Sequence, residues 1–142
     1  MLLETVRDFI GREIVASPHG RFQGFRLDLA EIDCAVLRLP HAAHNMNQNG
    51  RLNGGATLAL IDTAATAAAW ASNAVVPGKT RGTTVSVTTS FLAPAGTRDL
   101  VAEARVIRRG GRLSVVSVSV SNAGGEVASA LVTYSIEFKR GA

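Results

Sequence analysis

Ala56-Thr57-Leu58-Ala59-Leu60-Ile61-Asp62-Thr63-Ala64-Ala65-Thr66-Ala67-Ala68-Ala69-Trp70-Ala71-Ser72 is the stretch on which the fold turns. It holds no glycine and no proline, and alanine and leucine, both strong helix formers, dominate it. Asn53 precedes it as a good N-cap type, followed by Gly54-Gly55, and Asn73 to Gly78, with Pro77, closes it. Leu58, Ile61, Ala65, Ala68 and Ala69 trace one helical stripe. Ala56, Ala59, Thr63, Ala64, Ala67 and Ala71 fill the opposite side. A helix apolar nearly all round is expected to be buried on most sides. It is Ala-rich rather than Leu-rich and carries Asp62, so it falls short of a membrane span.

What surrounds this helix reads as strands. Val116, Val118 and Val120 alternate with Ser117, Ser119 and Ser121 in Leu113–Ser121, the period of a half-buried strand. Thr83–Phe91 places Thr83, Val85, Val87, Thr89 and Phe91 on one face. Leu100–Ile107 follows the Pro94-Ala95-Gly96 turn. Val127–Phe138 follows a hairpin turn at Asn122–Gly125 and puts Ala128, Ala130, Val132, Tyr134, Ile136 and Phe138 on one face. Upstream, Phe22–Asp28 and Asp33–Leu39 alternate as two more strands. Leu2–Val15 carries Leu3, Val6, Ile10 and Ile14 at helical spacing and is broken by Ser17-Pro18-His19-Gly20. His41–Leu52 is a polar loop of a length that is often functional. The order of helix, two strands, long helix and four strands predicts an α+β fold, an antiparallel sheet packed on one dominant helix.

A chain of 142 residues predicts a single domain over residues 1–142, with 1–18 as an N-terminal helix and turn. With 46% hydrophobic residues and a net charge of +4, disorder is excluded. One cysteine, Cys34, excludes an internal disulfide framework and fits a buried thiol in a reducing compartment. Glu4, Arg7 and Asp8 interrupt the opening segment, so no signal peptide is expected and the cytoplasm is. The 15 basic against 11 acidic residues point to nucleic acid, an anionic membrane or a phosphorylated small molecule. One Trp, one Tyr and five Phe are too few for a nucleic-acid surface built on stacked rings.

Three features carry chemistry. Asp62 is the only charge on the long helix. It is either a carboxylate satisfied by an amide or ion pair, or a base or nucleophile in a cleft. Gly54-Gly55 opens the helix, where free amides can bind a developing oxyanion; loop chemistry before a capped helix explains the pair equally well. Arg108, Arg109 and Arg112 around Gly110-Gly111 form a basic turn, either solvated or able to hold phosphates. His19, His41 and His44 make no metal signature, and no metal is expected.

Asn47-Gln48-Asn49-Gly50-Arg51-Leu52-Asn53-Gly54-Gly55 followed by Leu58-Ala59-Leu60-Ile61-Asp62 resembles the signature of hotdog-fold acyl-CoA thioesterases, most closely the phenylacetate-degradation (PaaI-type) subgroup. Phe91-Leu92-Ala93-Pro94-Ala95-Gly96 and Val106-Ile107-Arg108-Arg109-Gly110-Gly111-Arg112-Leu113 resemble that group's strand-to-turn segment and coenzyme A turn. The resemblance covers roughly Phe22 to Phe138. It implies a five- or six-stranded antiparallel sheet wrapped around one long central helix, in homodimers or homotetramers with active sites at subunit interfaces. It further implies Asp62 as nucleophile or general base, Gly54 as oxyanion donor with Gly55 beside it, and Asn47 placing the thioester or water. Thr84 matches a hydroxyl that orients water. Arg108, Arg109, Gly110, Gly111, Arg112 and Leu113 match coenzyme A contacts, with Phe91 packing on the same ligand. Coenzyme A is then part of the substrate, an aryl-, phenylacetyl- or short- to medium-chain acyl-CoA, and no cofactor, nucleic acid or membrane partner is implied. Asn53 stands where the family commonly has His, and Asn does not titrate near neutrality. The alternatives are a non-hydrolytic acyl-CoA binding or sensing module, for which Asn53 speaks, and a hotdog enoyl-CoA hydratase, for which Asp62 lacks a neighbouring histidine.

Overall fold

The computed structural model describes residues 1–138; residues 139–142, the end of the expected domain, lie outside it. In chain order the elements are α1 (Glu4–Phe9), continued by a π-helical turn (Ile10–Val15), α2 (Pro18–Gln23), β1 (Arg26–Glu31) and β2 (Cys34–Leu39). Then come α3 (Gly54–Trp70), β3 (Arg81–Phe91), β4 (Leu100–Arg109), β5 (Leu113–Asn122) and β6 (Gly125–Glu137). The six strands form one sheet in the order β1-β2-β4-β5-β6-β3, every neighbouring pair antiparallel. This is the hotdog arrangement, an antiparallel sheet around one long helix.

Helix α3 lies across the sheet. Leu60, Ile61, Ala64, Ala65, Ala67, Ala68 and Ala69 are fully buried, in one core with Leu37, Ala102, Ala104, Val116, Val118, Val120, Ala128 and Val132. Alanines on both helix and sheet let the two backbones approach closely. The alternations expected in β5 and β6 stand, since Val116, Val118 and Val120, and Ala128, Ala130, Val132, Tyr134 and Ile136, are all buried. One expectation for α3 is corrected. Leu58 is 39% exposed, and Ala59, Asp62, Thr63, Thr66 and Trp70 are only half-buried, so the helix keeps an open strip along one side.

Three further corrections have local causes. Phe22 and Gln23 belong to α2, not to a strand beginning at Phe22. Ser17 caps that helix, its Oγ accepting from the Gly20 amide at 3.1 Å; Pro18 occupies the first turn, and Gly24 ends it at φ 84°. In the first segment the wider π turn, with the Ala16 amide donating to the Gly11 carbonyl, shifts the apolar face by one residue. Val15 is therefore buried where Ile14 was expected, and Leu3 is exposed. In β3 a bulge between Thr84 and Ser86 breaks the alternation. Thr84, Val87 and Thr89 point inward, while Val85 and Phe91 are more than half exposed.

Strand β3 runs antiparallel to α3. Gly82 lies against Trp70, Thr84 against Asp62, and Phe91 against Gly54. The opposite end of α3 abuts the β4–β5 turn, where Arg109 reaches the Ala69 carbonyl. Among the described residues, no helix is long and apolar enough to cross a membrane.

Candidate active site

Asn53 organises the start of α3. Its Oδ1 accepts from the Gly55 amide at 2.7 Å, and its carbonyl accepts from the Ala56 amide at 3.0 Å. A Cβ at Gly55 would stand 2.8 Å from Asn53 Oδ1, so a larger residue there would push the capping side chain aside. The Gly55 amide is thus engaged, which removes it as a second oxyanion donor. The Gly54 amide has no acceptor among the described residues and stands at the positive end of a 17-residue helix. A Cβ at Gly54 would meet only the Phe91 ring, at an ordinary 3.5 Å.

A cavity of about 370 Å³ opens beside this amide. Asn47, Gly50, Arg51, Leu52, Thr57, Phe91, Val127 and the Ala93–Gly96 turn line it together with Gly54. The loop wall is built by Asn47, whose Oδ1 accepts from the amides of Asn49 and Arg51 at 2.9 and 3.0 Å. Its backbone amide donates to the Arg51 carbonyl at 2.6 Å, and the isolated bridge between Met46 and Leu52 closes the turn. Asn47, expected to place substrate, therefore also holds its own loop and presents only its side-chain NH2 outward.

Asp62 is not part of that wall. It lies on the open strip of α3, eight residues on from Gly54, about 12 Å along the axis at 1.5 Å per residue. Thr84 Oγ1 donates to Asp62 Oδ1 at 2.6 Å, tying one carboxylate oxygen and leaving Oδ2. The carboxylate is satisfied by a hydroxyl rather than by the amide or ion pair of the bland alternative. Behind it lies a pair that the sequence did not announce. Trp70 Nε1 donates to the Tyr134 hydroxyl at 2.9 Å, and Tyr134 pairs across the sheet with Thr84. Burial pushes the Tyr134 phenol above its usual range; hydrogen bonds with Trp70 and Thr66 oppose this, and the charge of Asp62 adds to it. Gly82 leaves room for the pair, since a Cβ there falls within 2.9 Å of both polar atoms.

The basic turn divides. Arg109 Nε and Nη2 donate to Asp33 Oδ1 and to the Ala69 carbonyl, and the guanidinium lies over the Phe138 ring at 5.6 Å. Its Nε and Nη2 hold the end of α3, while Nη1 is buried without a partner among the described residues, so Arg109, expected among the coenzyme A contacts, is turned into the fold rather than outward. Arg108, Gly111, Arg112 and Leu113 are exposed. Gly110 is packed against the Leu113 carbonyl, which a Cβ would strike, so it shapes the turn. This turn stands at the C-terminal end of α3 and the Gly54 cavity at the N-terminal end, about 25 Å apart for 17 residues. The structure thus pairs Asp62 with Thr84 and Gly54 with Asn47 and Phe91, but does not unite the two groups within one chain. Arg51 and Thr57 were missed because neither belongs to the quoted motifs' chemistry; only their flanking of Gly54 signalled them.

Residues 49–129 match the Thioesterase superfamily. Among curated proteins no significant match is found. Solved structures resemble the chain along most of its length. The conserved protein PA5202 from Pseudomonas aeruginosa is 26% identical, with a TM-score of 0.80, covering 88% of this chain and 98% of that one. AziG from S. sahachiroi is 27% identical, with a TM-score of 0.77, covering 87% and 98%. A thioesterase family protein from Silicibacter pomeroyi shares the fold at 20% identity, with a TM-score of 0.83, covering 94% and 99%. With more than half its length matched and the same fold around the helix, this chain belongs to the Thioesterase superfamily.

Proposed function

We propose that this chain is a homodimeric acyl-CoA thioesterase of the PaaI-like kind. In this reading it hydrolyses an aryl-, phenylacetyl- or short- to medium-chain acyl-CoA to the free acid and coenzyme A. The observation that carries it is the separation of Asp62, braced by Thr84, from the free Gly54 amide on the same helix. Oxyanion donor and attacking group must both lie about 3 Å from one thioester carbonyl, which a 12 Å separation forbids within one chain. A two-fold axis beside β3 resolves this. Strand β3 is an 11-residue edge strand with exposed Val85 and Phe91 and no lysine or proline to blunt it. Pairing it with its copy sets two α3 helices antiparallel. Asp62 of one protomer then faces Gly54 of its partner, and the exposed Arg108 and Arg112 approach the partner's cavity to meet coenzyme A phosphates.

In this arrangement Asp62 Oδ2 takes a proton from water as hydroxide adds to the thioester carbonyl, or adds to the carbonyl itself. The electron pair moves onto the carbonyl oxygen, which accepts from the Gly54 amide. Its return breaks the C–S bond, and the thiolate leaves and is protonated to coenzyme A. Where Asp62 attacks directly, water then cleaves the resulting anhydride and regenerates the carboxylate. Asn53 leaves this scheme as the helix cap.

A thiol-release screen over aryl-, phenylacetyl- and straight-chain acyl-CoAs, with Asp62→Ala alongside, tests the reading. Release by the wild type that is lost in the variant supports it. Tight thioester binding without release at any pH assigns a binding module instead. Turnover unchanged in the variant removes Asp62 from the reaction.

A further inference from the structure

The cavity beside Gly54 has a one-sided polar lining. Its polar lining residues are Asn47, Arg51 and Thr57, beside the free Gly54 amide, with no aspartate or glutamate among the lining residues. Asn47 cannot offer its oxygen, which is held by the Asn49 and Arg51 amides. Arg51, like the exposed Arg108 and Arg112, makes no ion pair with the carboxylates of the described residues. Its backbone at the cavity is fixed by bonds to Asn47, and its exposed side chain makes no hydrogen bond among the described residues. The remaining walls, Leu52, Phe91 and Val127, are apolar.

An uncharged alkyl or aryl group would cover those apolar walls and leave Arg51 to water, the Gly54 amide being taken by the thioester carbonyl in either case. An acyl group with a carboxylate at its far end covers the walls and gives Arg51 a two-pronged acceptor. The volume of about 370 Å³ lies at the small end of ligand cavities and suits a short acyl arm. We propose that the preferred acyl group ends in an anionic group, as in the mono-thioester of a dicarboxylic acid, and that Arg51 receives it. This rests on the thioesterase reading above and on the coenzyme A arm running to Arg108 and Arg112 of the other protomer. Arg51 is then a specificity residue that does not touch the reacting atoms.

The test compares glutaryl-CoA with valeryl-CoA and adipyl-CoA with hexanoyl-CoA, each pair also as N-acetylcysteamine thioesters, in the wild type, Arg51→Gln and Arg51→Lys. The substitutions leave the loop's hydrogen bonds in place, since these use only the backbone of residue 51. The proposal expects kcat/KM about tenfold higher for the carboxylated member of each pair, with both leaving groups. Arg51→Gln collapses that ratio to about one, and Arg51→Lys keeps part of it. Thiol release without a carboxylate preference overturns the proposal while the thioesterase reading stands. A loss in Arg51→Gln that is equal for both acyl types and confined to the coenzyme A thioesters also overturns it, by assigning Arg51 to the phosphates. No release from any thioester removes the thioesterase reading and this proposal with it.

Discussion

Thr84 Oγ1 donates to Asp62 Oδ1 at 2.6 Å, joining a bulged edge strand to the open strip of the central helix. A hydroxyl has one proton, and here it goes to the carboxylate. Thr84 therefore acts on water only as an acceptor, and its main effect is to fix the direction of Oδ2.

Asp62→Asn is expected to lower kcat on the order of 10³-fold, with circular dichroism unchanged. Thr84→Val is expected to lower kcat about tenfold, since the carboxylate remains but is free to rotate. In the Asp62→Asn background Thr84→Val should cost almost nothing more, because both changes act on one step. Steady-state kinetics of the four proteins check this, and independent, multiplying losses would separate the two residues.

The split of the basic turn makes a second prediction. Arg108→Ala and Arg112→Ala should raise KM for coenzyme A thioesters and leave N-acetylcysteamine thioesters unaffected, as expected for groups that meet only phosphates. Arg109→Ala should instead lower stability by about 1–2 kcal/mol, because Asp33 and the Ala69 carbonyl lose their donor. Urea unfolding beside the kinetics distinguishes the two behaviours.

How much of this was written in the sequence depends on how local its cause is. Val116, Val118 and Val120 announced β5 because the pleat imposes a two-residue period on a strand with one buried face. The Ser17-Pro18 start of α2 was equally local, but Gly20 and Gly24 make so short a helix read as a turn. The β3 bulge was hidden, since one extra residue in a paired strand changes no composition. Arg109 looked like its neighbours until Asp33, 76 residues away, was found to hold it. Asp62 drew attention as the one charge on an apolar helix, while its partner Thr84 came only from the family resemblance. That Gly54 and Asp62 stand about 12 Å apart follows from helix rise once the helix is observed to be unbroken between them.

Two buried protic groups predict an alkaline limit to stability. Burial is the largest cause raising the Cys34 thiol above its ordinary 9.0, and likewise the Tyr134 phenol above 10.0. Each folded-state value lies above the unfolded one, so the folded chain binds more protons in the interval between them. Stability is therefore full below about pH 9 and declines as pH rises through the thiol and then the phenol range. Cys34→Ala should remove the earlier part of that decline. Melting temperatures taken from pH 7 to 11 check this, and a decline unchanged in Cys34→Ala would exclude the thiol.

The sharpest prediction concerns the division of one active site between two chains. A backbone donor is normally beyond reach of mutation, but Gly54 is the first residue of α3, where proline is favoured and its missing N–H leaves no helical bond unmade. Asn53 is extended at φ −65° and ψ 129°, as a residue before proline must be. Gly54→Pro thus deletes the proposed oxyanion donor and keeps the helix, and should lower kcat on the order of 10²- to 10³-fold. Neither Gly54→Pro nor Asp62→Ala should be active alone. In a mixed dimer, one site joins the intact Gly54 of the Asp62→Ala chain to the intact Asp62 of the Gly54→Pro chain, and the other site carries both defects. Refolding an equal mixture of the two inactive proteins should therefore restore about a quarter of wild-type activity, since half the dimers are mixed and each holds one working site of two. Recovery at that level requires the donor and the carboxylate to come from different protomers; its absence, with mixed dimers verified by two affinity tags, would place them in one chain or remove Gly54 from the reaction.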